Sequence, residues 1–351
     1  MFIEYWIDKT ELNYTEVYFL ISSIAFLILS IDAKNYKIRE IIVFATLGLL
    51  SICTYYYSKN PTIIRIVVIL FCLKGKDINR IIKYSCIICS AIFVVTIVMS
   101  GIFGNGEAFS KGLKTKPDGT LVLGFGHPNQ LQLTFDCIAI WLIYLINTLK
   151  GKRVLKLITI AILSMLNLIL YFETTSKTGF IILNIYIIAI VLCKFLYRIK
   201  VSTKILQSIL ISVYTLIILS SIIFTISYQQ NSIVGDIDEK ILSNRLFLSN
   251  YFYKDNTINL FGNDIDTVKF AFDLGITRTI IEFGVIVFII IAITNMILVM
   301  RYTKNKNYNR VLLMLIFLIM SVMENVWIYP FKNLSLLFIA DIIFNSRKLK
   351  K

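Results

Sequence analysis

The sequence predicts an all-α polytopic integral membrane protein of about 11 transmembrane helices (10–12), with one long external loop carrying short amphipathic helices. Three observations predict it. First, apolar runs recur from end to end, long enough as helices to cross the ~30 Å hydrocarbon core, where only helices and closed barrels satisfy their own backbone groups. None alternates in polarity as a barrel strand must. Second, 57% of the 351 residues are apolar and 16% are charged, which leaves no room for a separate soluble domain and makes residues 1–351 a single membrane domain. Third, lysines and arginines gather in every second gap. The formal net charge of +15 then follows from basic residues kept on the cytoplasmic side, and no nucleic-acid partner is expected.

Taken in order, the spans fall at 17–31, 41–57, 62–73, 84–103, 129–149, 155–172, 178–193, 205–227, 277–300, 311–327 and 333–346. The third is short and carries Arg65. The first residues, with Glu4, Asp8, Glu11 and Glu16, lack the basic start of a signal peptide, so the first span is expected to remain in the mature protein. Basic clusters at 32–40, 74–83, 150–156, 194–204, 301–310 and the tail Arg347–Lys351 hold 23 of the 36 lysines and arginines. Short basic loops mark the cytoplasmic face. The expected protein is therefore multi-pass in the cell (plasma or inner) membrane, with an external N-terminus and a cytoplasmic C-terminus. All six cysteines lie inside or beside spans. Cys86 and Cys89 form a CxxC without histidine partners, which reads as small apolar filler.

The external loops are then 104–128, a tight 173–177, the 48-residue stretch 228–275, and 328–332. A loop as long as 228–275 is functional or disordered. Its aromatic residues, among them Tyr228, Phe247, Tyr251 and Phe252, argue for order. Short helices on the membrane surface, roofing a cavity, are expected there.

Polar residues near the hydrocarbon mark candidate sites. Asn129, Gln132 and Asp136 share one face of the fifth span, as an interhelical hydrogen-bond seam or as the wall of a cavity. Just before them, Pro128 suits the first turn of a helix, and His127, the only histidine, sits at its end in a structural or a ligand-binding role. Lys177 lies in the tight turn, Arg245 in the long loop, Asp273, Arg278 and Glu282 at the start of the ninth span, and Glu324 at the end of the tenth. Several cations and carboxylates at the external mouth of one bundle suit a ligand with an anionic head and a lipid tail.

In their order, Gly126–Gln130, Thr175–Gly179, Ser243–Arg245, Leu260–Gly262, and Asp273 with Gly284 eleven residues on resemble the O-antigen polymerase/ligase superfamily, which includes the Wzy-type polysaccharide polymerases. The resemblance covers roughly residues 100–345. Lys177 stands where that family usually has an arginine, keeping the charge without the bidentate fork. Asp273 is followed by Leu274 and Gly275 instead of the family's asparagine and an aromatic two places on. Ligases of the group tend to carry a histidine in the later external region; none follows His127, which favours a polymerase.

The resemblance implies a glycosyltransferase that polymerises polyprenyl-diphosphate-linked oligosaccharide repeat units into a capsule- or O-antigen-type polysaccharide of the cell envelope. Its expected partners are that lipid-linked oligosaccharide, membrane lipid, and flippase and chain-length regulator proteins. Arg245 is expected to meet the diphosphate, assisted by Lys177 and Arg278, because the leaving group gains negative charge. Asp273 or Glu282 is expected to take the proton of the attacking hydroxyl. The spacing of Arg278 and Glu282 pairs them across one helical turn, nominating Asp273 as the base. His127, Asn129, Gln132 and Glu324 complete the expected substrate-binding set. No cofactor and no metal are expected, and Asp236–Asp238 and Asp264–Asp266 are not read as metal-binding DxD motifs. A ligase of the same superfamily, a lipid-linked sugar flippase or other transporter using Asp136 and Asp341, and a non-catalytic assembly partner are the rival readings.

Overall fold

The computed structural model describes residues 36–103, 122–125, 127–149, 151–198, 202–230, 232–265 and 271–344. The expected first span, the tail cluster Arg347–Lys351, Gly126 and Asp266 lie outside them. The described residues form helices and turns, with no strand among them. In chain order these are α1 (Ile38–Ser58), α2 (Thr62–Cys72), α3 (Ile78–Phe103), α4 (Pro128–Thr148), α5 (Arg153–Thr174), α6 (Lys177–Arg198) and α7 (Thr203–Ile226). There follow α8 (Ile233–Ile237), a π-helical turn (Asp238–Leu242), α9 (Arg245–Asp255), α10 (Gly275–Lys304) and α11 (Tyr308–Met320). A 3₁₀ segment (Leu334–Ile339) and α12 (Ala340–Phe344) end the described chain.

Among the described residues six helices, α1, α3, α4, α5, α7 and α10, are long and apolar enough to cross a membrane. The described apolar parts of α2, α6, α11 and Leu334–Phe344 are shorter. The tenth expected span, 311–327, is helical only to Met320; beyond it, successive backbone turns such as Val322 N to Ile319 O (3.1 Å) and Met323 N to Met320 O (3.0 Å) fold the chain compactly. Hydropathy does not distinguish such a turn from a helix.

The described residues group into two compact units, one of Asp77–Ala189 and the other of the residues up to Lys76 together with those from Ile190 onward. In the first, α4 packs against both α3 and α5. Leu131, Ala139, Ile140 and Ile143 of α4 are wholly buried, whereas α3 and α5 turn Ile87, Ile88, Leu157 and Met165 outward. Tyr144 of α4 donates to Asn79 Oδ1 of α3 at 2.7 Å, pinning one end.

In the second unit, α10 packs against α7, α11 and α1. The helix is broken at Gly284 (φ 89°, ψ 163°), a backbone region open only to glycine. The segment Asn259–Asn263 lies in the break: Val285 N donates to Asn259 O (3.1 Å), Ile286 N to Leu260 O (3.3 Å), and Asn263 N to Glu282 O (3.3 Å). Gly262 (φ 92°) stands against Glu282 O so closely that a Cβ would collide, and Gly284 stands likewise against Leu260 O. Two glycines far apart in sequence are thus required by one backbone-to-backbone approach. At another end of the same unit, Asp341 of α12 receives Tyr302 Oη (2.6 Å) and Arg310 Nη1 (2.5 Å), which fastens the last described helix to α10 and α11.

Candidate functional site

The site residues expected from sequence divide between the two units. In the first, His127 caps α4: its extended backbone precedes Pro128, and its Nδ1 accepts from Asn129 N at 3.2 Å. His127 and Lys177 are exposed and Asn129 is half-buried. Gln132 and Asp136 are wholly buried. Gln132 Nε2 donates to Asn167 Oδ1 of α5 (2.6 Å), and its Oε1 accepts from Thr174 Oγ1 (3.3 Å). Asn167 Nδ2 in turn donates to Phe180 O of α6 (3.3 Å). A side chain at Gly179 would collide with Asp136 Oδ2 and Gln132 Cγ. Gln132 therefore belongs to an interhelical seam that leaves no room for a ligand there.

In the second unit, five of the expected residues converge. Arg245 opens α9, and its side chain is only 4% exposed. Nη2 meets Glu324 Oε1 at 2.6 Å, Nη1 donates to Met323 O, and Nε lies 3.8 Å from Asp273 Oδ2. Beside it, Arg278 Nε meets Glu282 Oε2 at 2.5 Å, with Nη2 3.3 Å from Oε1 and Nη1 donating to Phe272 O at 3.1 Å. Glu282 Oε1 also accepts from Asn60 Nδ2 at 2.7 Å, so both its oxygens are engaged. Asp273 also acts electrostatically on Arg278, which links the two ion pairs. The i,i+4 pairing of Arg278 with Glu282 is the one expected from their spacing.

The two acids differ in access. The Asp273 side chain is 31% exposed, that of Glu282 6%. A carboxylate with free surface and one distant guanidinium nitrogen can accept a proton from an incoming hydroxyl, whereas one held by three donors orients its neighbours. Such a buried ionic group is weak evidence for stability, since well-packed apolar residues in its place are often neutral or stabilising by about 1–4 kcal/mol. Its persistence calls for a chemical reason.

Local structure explains why Arg245 points where it does. Asp238 is wholly buried and accepts Leu246 N and Phe247 N, each at 2.9 Å, so it caps α9 from seven residues upstream of its start. Burial pushes its carboxyl above the usual aspartate range, and the backbone donors pull it back. Between them Ser243 (φ 55°) and Asn244 (φ 63°) both adopt the left-handed conformation. Leu246 then buries with Tyr228, Leu242 and Leu274, and Met323 packs on the same cluster. This positions the Arg245 guanidinium against the Met323–Glu324 turn. Gly275 at the start of α10 touches that turn too, where a Cβ would stand 2.9 Å from Glu324 O.

Asn60, Asp238 and the Met323 and Phe272 carbonyls are parts of this arrangement that sequence reasoning missed. Asn60 had one usable signal, an amide beside Pro61 in the gap between two apolar runs. Asp341, a transport candidate from sequence, is held by Arg310 and Tyr302. No protein-family model, curated protein or solved structure matches this chain.

Proposed function

We propose that this protein polymerises polyprenyl-diphosphate-linked oligosaccharide repeat units by glycosyl transfer at the external face of the cell membrane. One observation carries the reading: Arg245, Asp273 and Glu324, drawn from three separated polar segments, meet in one buried ionic cluster beside the broken helix α10. The ordered motifs named above support it as a resemblance. Gly262 and Gly284, two of their members, pack backbone to backbone.

In the proposed reaction, a hydroxyl oxygen of one lipid-linked block attacks the anomeric carbon of another. Its proton passes to Asp273, the bond from that carbon to the diphosphate oxygen breaks, and polyprenyl diphosphate leaves with the electron pair. Arg245 is the cation nearest Asp273, and a diphosphate would compete with Asp273 for its Nε edge. Glu324 and the Met323 carbonyl hold the other edge and fix the guanidinium plane. Arg278 is tied to Glu282 and contributes its charge at second hand.

The proposed topology has about 11 spans, with 150–156, 194–204 and 301–310 cytoplasmic and 228–275 external, following the distribution of basic residues. An impermeant thiol reagent on intact cells should label Ser232→Cys and spare Asn305→Cys, in a background with the six native cysteines replaced. The reverse pattern would invert the orientation. The activity itself is tested by deletion: lipid-linked material should accumulate as single repeat units facing outward. Units stranded on the cytoplasmic side would indicate a flippase instead.

A further inference from the structure

Apart from the ionic cluster, the second unit holds a cleft of about 430 Å³, bounded by Tyr228, Gln230, Gly235, Glu239, Asn244 and Phe247. We propose that this cleft binds the sugar rings of a glycan chain. The inference rests on the polymerase reading for its biological meaning, but the binding chemistry stands on the cleft alone.

Its volume falls within the ~300–1,000 Å³ typical of small-molecule sites. The lining is mixed, as a pyranose requires. Two aromatic rings, Tyr228 and Phe247, lie with centroids 6.0 Å apart at 60°, and Phe247 is 43% exposed. Such rings offer apolar faces to the C–H side of a sugar. Gln230, Glu239 and Asn244 are exposed. None of these three side chains hydrogen-bonds to protein among the described residues. The amides offer donors and acceptors, and Glu239 offers two acceptor oxygens, a set that suits vicinal hydroxyls.

The backbone around the cleft is also specified. Asn244 is held in the left-handed region beside Ser243, a conformation that persists in non-glycine residues where the surroundings impose it. Asp238 fixes the backbone N–H of Phe247. Gly235 lies beneath the Gln229 and Gln230 carbonyls at a distance no Cβ allows, and its N–H is capped by Ser232 Oγ at 3.2 Å. Asn244 and Phe247, three residues apart at the start of α9, thus both line the cleft from one turn.

The test uses full-length protein in lipid nanodiscs and a panel of free tri- and tetrasaccharides, neutral, N-acetylated and uronic, with unrelated short peptides alongside. At least one saccharide class should bind. Phe247→Leu keeps the apolar contact with Tyr228 but lacks the ring face, and Asn244→Ala lacks the amide. Each should weaken binding ~10-fold, with Phe247→Tyr restoring most of it. Retention of peptides but no saccharide, or saccharide binding indifferent to Phe247→Leu and Asn244→Ala, would overturn the proposal. The two readings fail separately. A parent protein that binds no saccharide yet makes polymer removes the cleft alone. One that binds saccharide yet makes no polymer removes the polymerase reading alone.

Discussion

The first unit ties its buried polar groups together through amides, whereas the second gathers ion pairs. Gln132, Asn167 and Thr174 form a hydrogen-bonded seam between α4 and α5 that reaches Phe180 O of α6, with the Asp136 carboxyl beside it. Arg245, Asp273, Glu324, Arg278 and Glu282 form a charged group in which one carboxylate keeps about a third of its surface. A satisfied amide seam is explained by packing, because amides inside a bundle need only one another. A charged group carries a desolvation penalty that packing does not repay, so its explanation lies in what it binds. Polarity inside a membrane helix is therefore a poor guide to function until the partners and the access of each group are known.

The sharpest way to break this comparison is Arg245→Ala. It should abolish polymer with the protein still present in the membrane, and leaving Glu324 buried without its guanidinium should lower stability by about 3–5 kcal/mol. The double variant Arg245→Ala with Glu324→Gln separates the two effects: stability should largely return, measured by thermal unfolding in detergent, while polymer stays absent. Arg245→Lys should rescue little, since an ammonium lacks the planar fork. Full-length polymer from Arg245→Ala would remove this residue from the site.

Next in size is Asp273→Asn, which removes the proton acceptor with little change in shape. Turnover should fall by ~10²-fold or more, with stability nearly unchanged because the side chain is partly exposed. Glu282→Gln should behave in the opposite way, losing mainly stability through its contacts with Arg278 and Asn60. A stably folded but inactive Glu282→Gln, beside an active Asp273→Asn, would exchange their assignments.

For the seam, Gln132→Leu strands Asn167 and Thr174 and should lower stability by about 1–3 kcal/mol, with activity per folded molecule retained. A loss of activity out of proportion to folded protein would show that the first unit does chemistry after all. The smallest effect is expected at His127→Ala, a helix-capping change at an exposed position worth about 0.5 kcal/mol. If polymer disappears in that variant, His127 holds substrate and the contrast between the units weakens.

Much of the local architecture was legible without coordinates. Apolar runs located α1, α2, α4, α5 and α7 closely and missed the polar ends of α3, α6 and α10, such as Ile78–Lys83, because helix length and hydropathy are both local quantities. Pro128 marked the first turn of α4, and the spacing of Arg278 and Glu282 marked their pairing, since both follow from the geometry of one helical turn. Tertiary structure alone decided the rest. It broke α10 at Gly284 by placing the backbone of Asn259–Asn263 in the gap, a contact between segments about twenty residues apart that no periodicity encodes. It ended α11 at Met320 because the following turn meets Arg245 and the start of α10. It made Gln132 a seam residue and left Asp273 accessible, because the access of a polar group depends on what the other helices bring against it.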